Sequence, residues 1–534
     1  MSANLIALQN RFLGRGETVY DHLARLREQK GALADEDLLA LSRQLNLPPA
    51  HVRSVAKFYD ELRRDEPAEQ TLRVCNGESC ALAGAAACRE RLERAAPDGV
   101  HVADVTCLGY CGSGPNAALG SGSEPRVFSL AGGALERLEQ ALSDDSEFSA
   151  EEPKNVIHPP RSERETVLLS RFGPDFAELA VARKAGVYRA LETALSGEPA
   201  AVIEAIKTSR IRGRGGAGFP AGLKLQTVAD APSKSGDKYV VVNADEGDAG
   251  AFIDKELLEQ APHTVLEGLI LAAFAVGANQ GFVYLRGEYP RALSLWRRVL
   301  DDAEAAGLLG DSVMGSGFSF HVRVVPGHGA YICGEETSLL RSLEGVPAQV
   351  SFKPPYPAIE GYRGAPTVVN NVETLAAYPY IVQDGGEKYA ELGLGESRGT
   401  KLVSISGHVN QPGLFEVELG TTLRTLVFDL AGGIPGGKQF KAMQIGGPLG
   451  GILGAEHLDV PLTFEDLTAA GGMLGHAGIV VFDEHVDLVE IGRGLMKFCA
   501  VESCGKCFPC RIGAVRATEV FDKILAGRGE QADL

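Results

Sequence analysis

The period of apolar and polar positions changes several times along these 534 residues, and each change marks a new piece of structure. Between about 19 and 64, Val52, Val55, Phe58, Tyr59 and Leu62 recur at intervals of three and four, the spacing that gathers one stripe on a helix face. "LNLPPAHV" interrupts the run with a turn and a proline-led restart, since proline suits the first helical position. Residues 1–68 therefore read as a small helical bundle. From about 70, "TLRVC", the helical "ALAGAAACRERLERAA" and the β-like "VHVADVTC" and "PRVFSL" predict a compact α/β unit over 69–142. Residues 143–165 are polar, charged and proline-containing with no apolar period, which marks a linker.

After the linker, the apolar runs "KYVVVNA", "GFVYLRG" and "FHVRVVPG" alternate with helical stretches such as "HTVLEGLILAAFAVGA". That alternation predicts an α/β layer with a mostly parallel sheet, here over 166–395. Residues 396–486 open with strand, turn, strand and helix, "NQPG" being the hairpin turn, and read as a β-grasp (ubiquitin-like) domain. Residues 487–534 read as helical and carry a cysteine triplet. The expected fold class is multidomain α/β.

Composition sharpens this picture in three ways. The 65 glycines exceed the usual share and point to backbone-lined binding loops. The formal charge of −18 argues against a phosphate-tracking surface, so no nucleic-acid partner is expected. No charged start leads into an apolar run and cleavage site, and no run of 18 apolar residues occurs, which predicts a cytoplasmic protein without direct membrane insertion.

Ten cysteines are too few for a disulfide scaffold of this length, and most fall in two tight clusters. Cys75-x4-Cys80 with Cys107-x3-Cys111 places two pairs at predicted strand ends. Four thiolates so arranged suit a [2Fe–2S] centre, and the spacing leaves zinc open. Cys504-x2-Cys507-x2-Cys510 lets one loop wrap a corner of a [4Fe–4S] cube, which wants a fourth, distant ligand; a zinc knuckle is the competing reading. Cys88 and Cys499 fall on predicted helices and read as plain core residues.

Glycine-rich and acidic segments supply the remaining candidates. "RGRGGAGFPAG" places Gly213, Gly215 and Gly218 at G-x-G-x-x-G spacing, yet a helical stretch precedes it instead of a strand, so the ordinary dinucleotide context is absent. Its bare backbone N–H groups can approach an anion, with Lys224 as counter-charge. "NADEGDAG" follows the strand "YVVV" directly, where α/β sheets bind ligands. In "AYICGEET", Glu335 and Glu336 could serve acid/base work, but the positive start of a helix is where glutamates are structurally common, and the helix-cap reading is the expected one. "KPPYP" offers Lys353 and a stiffened Tyr356 whose face suits adenine, and "NN" is Asn370 and Asn371.

In this order, "RGRGGAGFPAGLK", "NADEGD", "YICGEET", "KPPYPA", "VNNVET" and "ESCGKCFPCRIG" resemble the flavin-bearing, NADH-binding subunit of respiratory complex I, from about 165 to the end. The first 145 residues resemble that enzyme's thioredoxin-like [2Fe–2S] subunit, as in the fused diaphorase (beta) subunits of soluble NAD-dependent formate dehydrogenase and NAD-reducing hydrogenase. The resemblance implies a Rossmann-like FMN- and NAD(H)-binding domain at 166–395 and a helical [4Fe–4S] domain at 487–534. It implies FMN held by Gly213, Arg214, Gly215, Gly216, Gly218 and Lys224, by Asn243, Asp245 and Glu246, and by Gly334, Glu335, Asn370 and Asn371. NAD(H) would stack with Phe219 and Tyr356 near adenine, Tyr331 close by and Lys353 on the dinucleotide, while Asp248 and Glu336 position the nicotinamide. No covalent catalyst is implied, because the cofactors carry the chemistry.

Cys75, Cys80, Cys107 and Cys111 would ligate the [2Fe–2S] cluster and Cys504, Cys507 and Cys510 the cube. The cube's fourth cysteine normally lies further along than Leu534, so the last domain is expected to be truncated. Three departures bear on NADH: Asp248 stands where complex I types usually have Glu, Leu225 and Thr227 where they often have aromatics, and Tyr356 where Phe is frequent. Expected partners are other iron–sulfur or molybdenum/nickel catalytic subunits of a multi-subunit redox complex. The competing readings are a metal-binding scaffold without NADH activity and a flavoenzyme that uses NADPH.

Overall fold

A computed structural model describes residues 17–59, 62, 70–120, 125–144, 146, 148–150 and 152–533. The expected boundary of the N-terminal bundle near residue 68 lies outside the described residues. Helices α1 (Val19–Lys30), α2 (Asp35–Leu45) and α3 (Pro49–Phe58) come first. A reciprocal cap starts α1, with Thr18 Oγ1 accepting from Asp21 N and Asp21 accepting from Thr18 N. Pro49 opens α3 at its first turn, as the proline-led restart predicts.

The cysteine-bearing unit follows with β1 (Gln70–Cys75), α4 (Ala85–Ala95), β2 (Val100–Val105), β3 (Asn116–Leu119), β4 (Arg126–Ser129) and α5 (Ala134–Asp144). Its sheet runs β2-β1-β3-β4, with β1 parallel to β2 and antiparallel to β3. The segment that then crosses to the larger part is not a free tether. Phe148 is buried, Ile157 bridges Leu414, and Asn155 donates to Gly109 O at 2.7 Å and to Glu256 at 2.8 Å.

The large α/β unit contains α6 (Pro199–Thr208), α7 (Ala221–Asp230), β5 (Tyr239–Ala244), α8 (Ile253–Gln260), α9 (Pro262–Val276), β6 (Gln280–Leu285), α10 (Pro290–Ala305), β7 (His321–Pro326), α11 (Glu336–Leu343), β8 (Thr367–Asn371) and α12 (Val372–Asp384). Its sheet is wholly parallel in the order β7-β6-β5-β8. Such a sheet needs cover on both faces. Val240, Val242 and Ala244 of β5 join the core formed with α9 and α12, while Tyr239 and Val241 face the other way.

The N-terminal helices supply part of that second cover. Leu23, Leu41, Val52, Val55 and Tyr59 share a core with Tyr239, Val241, Phe282 and Tyr284 of the sheet and Leu339 and Leu343 of α11. Tyr20 stacks on His328, ring centroids 3.4 Å apart, and Tyr59 donates to Val346 O at 2.7 Å. The helices are thus a lid on the sheet as much as a bundle.

A third sheet, in the order β10-β9-β13-β11-β12, is built from β9 (Thr400–Gly407), β10 (Gly413–Glu418), β11 (Phe440–Ile445), β12 (Gly451–Gly454) and β13 (Gly478–Asp483). β9 and β10 form the expected hairpin, Ser404 opposite Leu414. Helices α13 (Leu488–Val501) and α14 (Phe508–Leu525) close the described chain. Among the described residues no helix is long and apolar enough to cross a membrane.

A buried ion pair locks the third sheet to the second. Lys401 on β9 meets Glu373 in the first turn of α12, both essentially without solvent contact, and Glu373 also accepts from Leu402 N at 2.9 Å. Removing one partner leaves a buried unpaired charge. Lys401→Met is expected to lower stability by about 3–5 kcal/mol. A urea midpoint indistinguishable from that of the unaltered protein would show that the pair does not lock the two sheets.

Candidate functional site

The four N-terminal cysteines are all buried. Cys75 ends β1, Cys80 sits in the short helix after it, and Cys107 and Cys111 flank the turn after β2, their sulfurs 3.4 Å apart. The neighbouring Cys80 thiol, then the backbone N–H groups of Gly77, Leu108 and Cys107, pull the Cys75 thiol down to about 7 against the effect of burial. Buried sulfurs faced by backbone amides suit an iron–sulfur cluster, whose thiolates need such donors.

This unit is pressed against the other two sheets. Ser79 Oγ donates to Cys111 O and accepts from Gly407 N of β9, each at 3.0 Å. Arg286 donates to Thr106 O at 3.0 Å and to Glu246 O at 2.7 Å. Lys255 Nζ lies 3.9 Å over the Tyr110 ring. The turn holding Cys107 therefore abuts the acidic turn after β5.

At the C-terminal ends of the parallel strands, the segments singled out in the sequence converge. The glycine loop lies between α6 and α7, so its setting is helix–loop–helix, as the missing strand signal indicates. Two of its glycines are there for want of room. A Cβ on Gly215 would come within 2.9 Å of Asn371, and one on Gly218, whose φ is +61°, within 2.8 Å of the Phe464 ring. From the next helix, Lys224 Nζ donates to Val369 O at 2.8 Å and lies 3.6 Å from Glu336. Burial lowers the Lys224 pKa, with Glu336 opposing.

The acidic turn is pinned from several sides. Asn243 Nδ2 donates to Gly334 O at 2.8 Å, and its Oδ1 accepts from Asp245 N. Burial pushes the Asp245 carboxyl up to about 8 against the pull of Arg286, and its Oδ2 is buried without a hydrogen-bond partner. A buried acceptor with no partner fits a polar ligand edge. Tyr331 Oη donates to Asp248 at 2.7 Å, which holds that carboxylate against the upward push of burial.

Opposite lie the two glutamates. Glu335 caps α11, accepting from Thr337 N and Ser338 N, so the structural reading of that residue holds. Lys353 bridges both carboxylates, at 3.0 Å from Glu335 and 2.8 Å from Glu336. Asn371 likewise caps α12, and Asn370 Nδ2 donates to Tyr378 at 2.8 Å. Phe219 and Tyr356 are 47% and 56% exposed.

Some sequence-predicted residues serve from behind this surface. Arg214 is buried, its guanidinium bonded to Tyr389 and to Arg398 O. Glu246 accepts from the N–H groups of Ile253, Asp254 and Lys255, capping α8. Asp254 and His476, absent from the sequence-derived set, complete that corner. His476 lies 262 residues from the Arg214 carbonyl it meets, in a glycine-rich turn with no local signal.

The cysteine triplet spans the turn from α13 into α14, with Cys507 the residue before α14 and Cys510 in its first turn. Cys504 is half-buried and the other two exposed. The end of α13 reaches the acidic turn's neighbour: Glu502 accepts from Tyr331 N at 3.0 Å and Phe498 packs edge-on against the Tyr331 ring. Cys333 is buried beside Tyr284 and Asp245.

Comparison with known proteins agrees with this geometry. The Nuo51 FMN-binding domain matches residues 206–379, the thioredoxin-like [2Fe-2S] ferredoxin 7–124, the SLBB domain 402–453, and the NADH-ubiquinone oxidoreductase-F iron-sulfur binding region 490–534. The NADP-reducing hydrogenase subunit HndC of Solidesulfovibrio fructosivorans is 45% identical over 65% of this chain and 70% of its own. An NADH-quinone oxidoreductase subunit of Rhizobium meliloti (strain 1021) is 45% identical over 69% of this chain and 88% of its own. A chain of NAD+-reducing [NiFe]-hydrogenase in the H2-reduced state superposes with a TM-score of 0.82 at 31% identity, over 97% of this chain and 86% of that one. The chain therefore belongs to the family of FMN-binding, iron–sulfur subunits of NADH-quinone oxidoreductase, with a thioredoxin-like [2Fe–2S] ferredoxin unit on the same polypeptide.

Proposed function

We propose that this chain is the diaphorase subunit of a soluble NAD-linked hydrogenase or formate dehydrogenase, passing electrons between NADH and a chain of clusters. The carrying observation is the convergence of glycine loop, acidic turn, paired glutamates and paired asparagines at one sheet edge. When bound, FMN supplies the exchange between two-electron and one-electron chemistry. The protein's part is to bind, orient and exclude water.

The glycine loop and Lys224 are assigned to the flavin phosphate, since bare N–H groups and one desolvated cation suit an anion. Asp245, whose Oδ2 is buried without a partner, is assigned to the ring edge, in the turn that Asn243 pins to Gly334 O. Glu246 and Asn371 contribute through the backbone they hold, because their side chains are bonded to protein, while Arg214 keeps one buried nitrogen, Nη1, without a partner. Phe219 and Tyr356 present exposed rings for adenine, Lys353 and Glu336 face the dinucleotide, and Asp248, aimed by Tyr331, takes the nicotinamide side. Cys75, Cys80, Cys107 and Cys111 are assigned to the [2Fe–2S] cluster, and Cys504, Cys507 and Cys510 to the cube. The fused [2Fe–2S] unit and the likeness to an NAD+-reducing hydrogenase over nearly the whole chain favour this class of complex over complex I.

The test is anaerobic titration of the purified protein with NADH. The flavin absorbance is expected to bleach and a [2Fe–2S] EPR signal to appear; flavin that dithionite reduces and NADH does not would refute the reading. Cys75→Ser should remove the [2Fe–2S] signal while NADH-dependent ferricyanide reduction persists, because the cluster sits on a separate unit. Tyr331→Phe removes the donor that opposes the upward push of burial on Asp248, so the acid limb of the KM for NADH should move to higher pH. An unmoved limb would detach Asp248 from substrate binding.

A further inference from the structure

Behind the flavin face, one side chain joins the segments that build it. His476, 5% exposed, sits in the turn before β13. Its Nδ1 lies 3.1 Å from the Arg214 carbonyl of the glycine loop. Its Nε2 lies 3.0 Å from Glu246 Oε1 and 3.2 Å from Asp254 Oδ2. Asp254 Oδ2 in turn accepts from Asn371 Nδ2 at 2.7 Å.

The partners decide the protonation. A carbonyl oxygen only accepts, so Nδ1 carries a hydrogen. Nε2 faces two carboxylate oxygens, at 3.0 and 3.2 Å, without an aligned hydrogen bond to either, and Glu246, which accepts from three backbone N–H groups, is an anion, so the ring carries its second hydrogen and a positive charge. We propose that His476 is a positioning residue of the flavin site, a buried imidazolium that clasps the glycine loop, the acidic turn and the asparagine pair together. The inference rests on the flavin reading above and adds the charge that keeps its walls in register. The charged groups around the ring are Glu246, Asp254 and Lys401, with Asp248 and Glu373 beyond them. With Lys401 paired to Glu373, the imidazolium is left to answer Glu246 and Asp254.

The same three side chains are close enough together to hold a metal ion. A divalent ion held there is the alternative that the experiment below tests.

The experiment follows FMN release from the holoprotein by recovery of flavin fluorescence on dilution. His476→Gln removes the charge and keeps one donor, and release should quicken about tenfold, equivalent to about 1.4 kcal/mol. The double variant His476→Gln with Asp254→Asn restores charge balance and should return within about threefold of the unaltered rate, the coupling that distinguishes charge from packing. An unchanged rate in His476→Gln, or a double variant no better than the single, overturns the clasp. So does one bound divalent ion in the unaltered protein that His476→Gln loses. Should His476→Gln fail to fold, recovery of folded protein in the double variant supports the clasp, and its failure there overturns it. An unaltered protein that binds no FMN would refute the flavin reading itself, and this inference with it.

Discussion

Charge neutrality in a dry interior is the constraint on which this architecture turns. The protein buries Glu246, Asp254, Glu256, Glu259 and Glu373 almost completely. Each needs a cation or a row of N–H groups, because an uncompensated buried ion costs several kcal/mol. Two answers come from distant parts of the chain, Lys401 for Glu373 and His476 for Glu246 and Asp254, and one is local, Lys255 for its neighbours Glu256 and Glu259. Paired charges add a directional constraint to the packing, and they fix the spacing of the loops at the strand ends.

The second constraint is the parallel sheet's need for two covers. One face is met by α9 and α12 from the same unit, the other in part by helices from the start of the chain. The Tyr20–His328 stack makes that cover relevant to chemistry, because His328 lies in the loop that leads to Tyr331 and Gly334. Burial drives the His328 pKa down to about 3, so it is a neutral aromatic plate at any ordinary pH. A helix lid remote in sequence thus steadies the loop that aims Asp248.

What the sequence reveals here follows the range of the interactions. The apolar run of β5, the proline start of α3 and the β9–β10 hairpin are local patterns, and all appear in the structure. The paired cysteines and the glycine loop are legible because their chemistry needs residues close together. Arg214 shows how much the fold adds: the resemblance names it for the flavin, and the structure buries its guanidinium against Tyr389 and Arg398 O with Nη1 left without a partner. Residues 143–165 look like a tether because their anchors are isolated, Phe148 in one core, Asn155 through its amide and Ile157 through a backbone bridge, and so leave no apolar period. His476 leaves no trace, since its partners are brought to it only by the completed fold.

That strap has a kinetic meaning. Two domains that merely touch, through Ser79 and Gly407 or Arg286 and Thr106, would part and rejoin with concentration. Covalent continuity gives them an effective concentration set by a short, anchored span, in the millimolar range for such linkers and independent of how much protein the cell makes. Dilution cannot unplug the cysteine-bearing unit from the sheet edge it abuts. The ratio of the two is also fixed at synthesis, so no surplus of one domain can stand without the other.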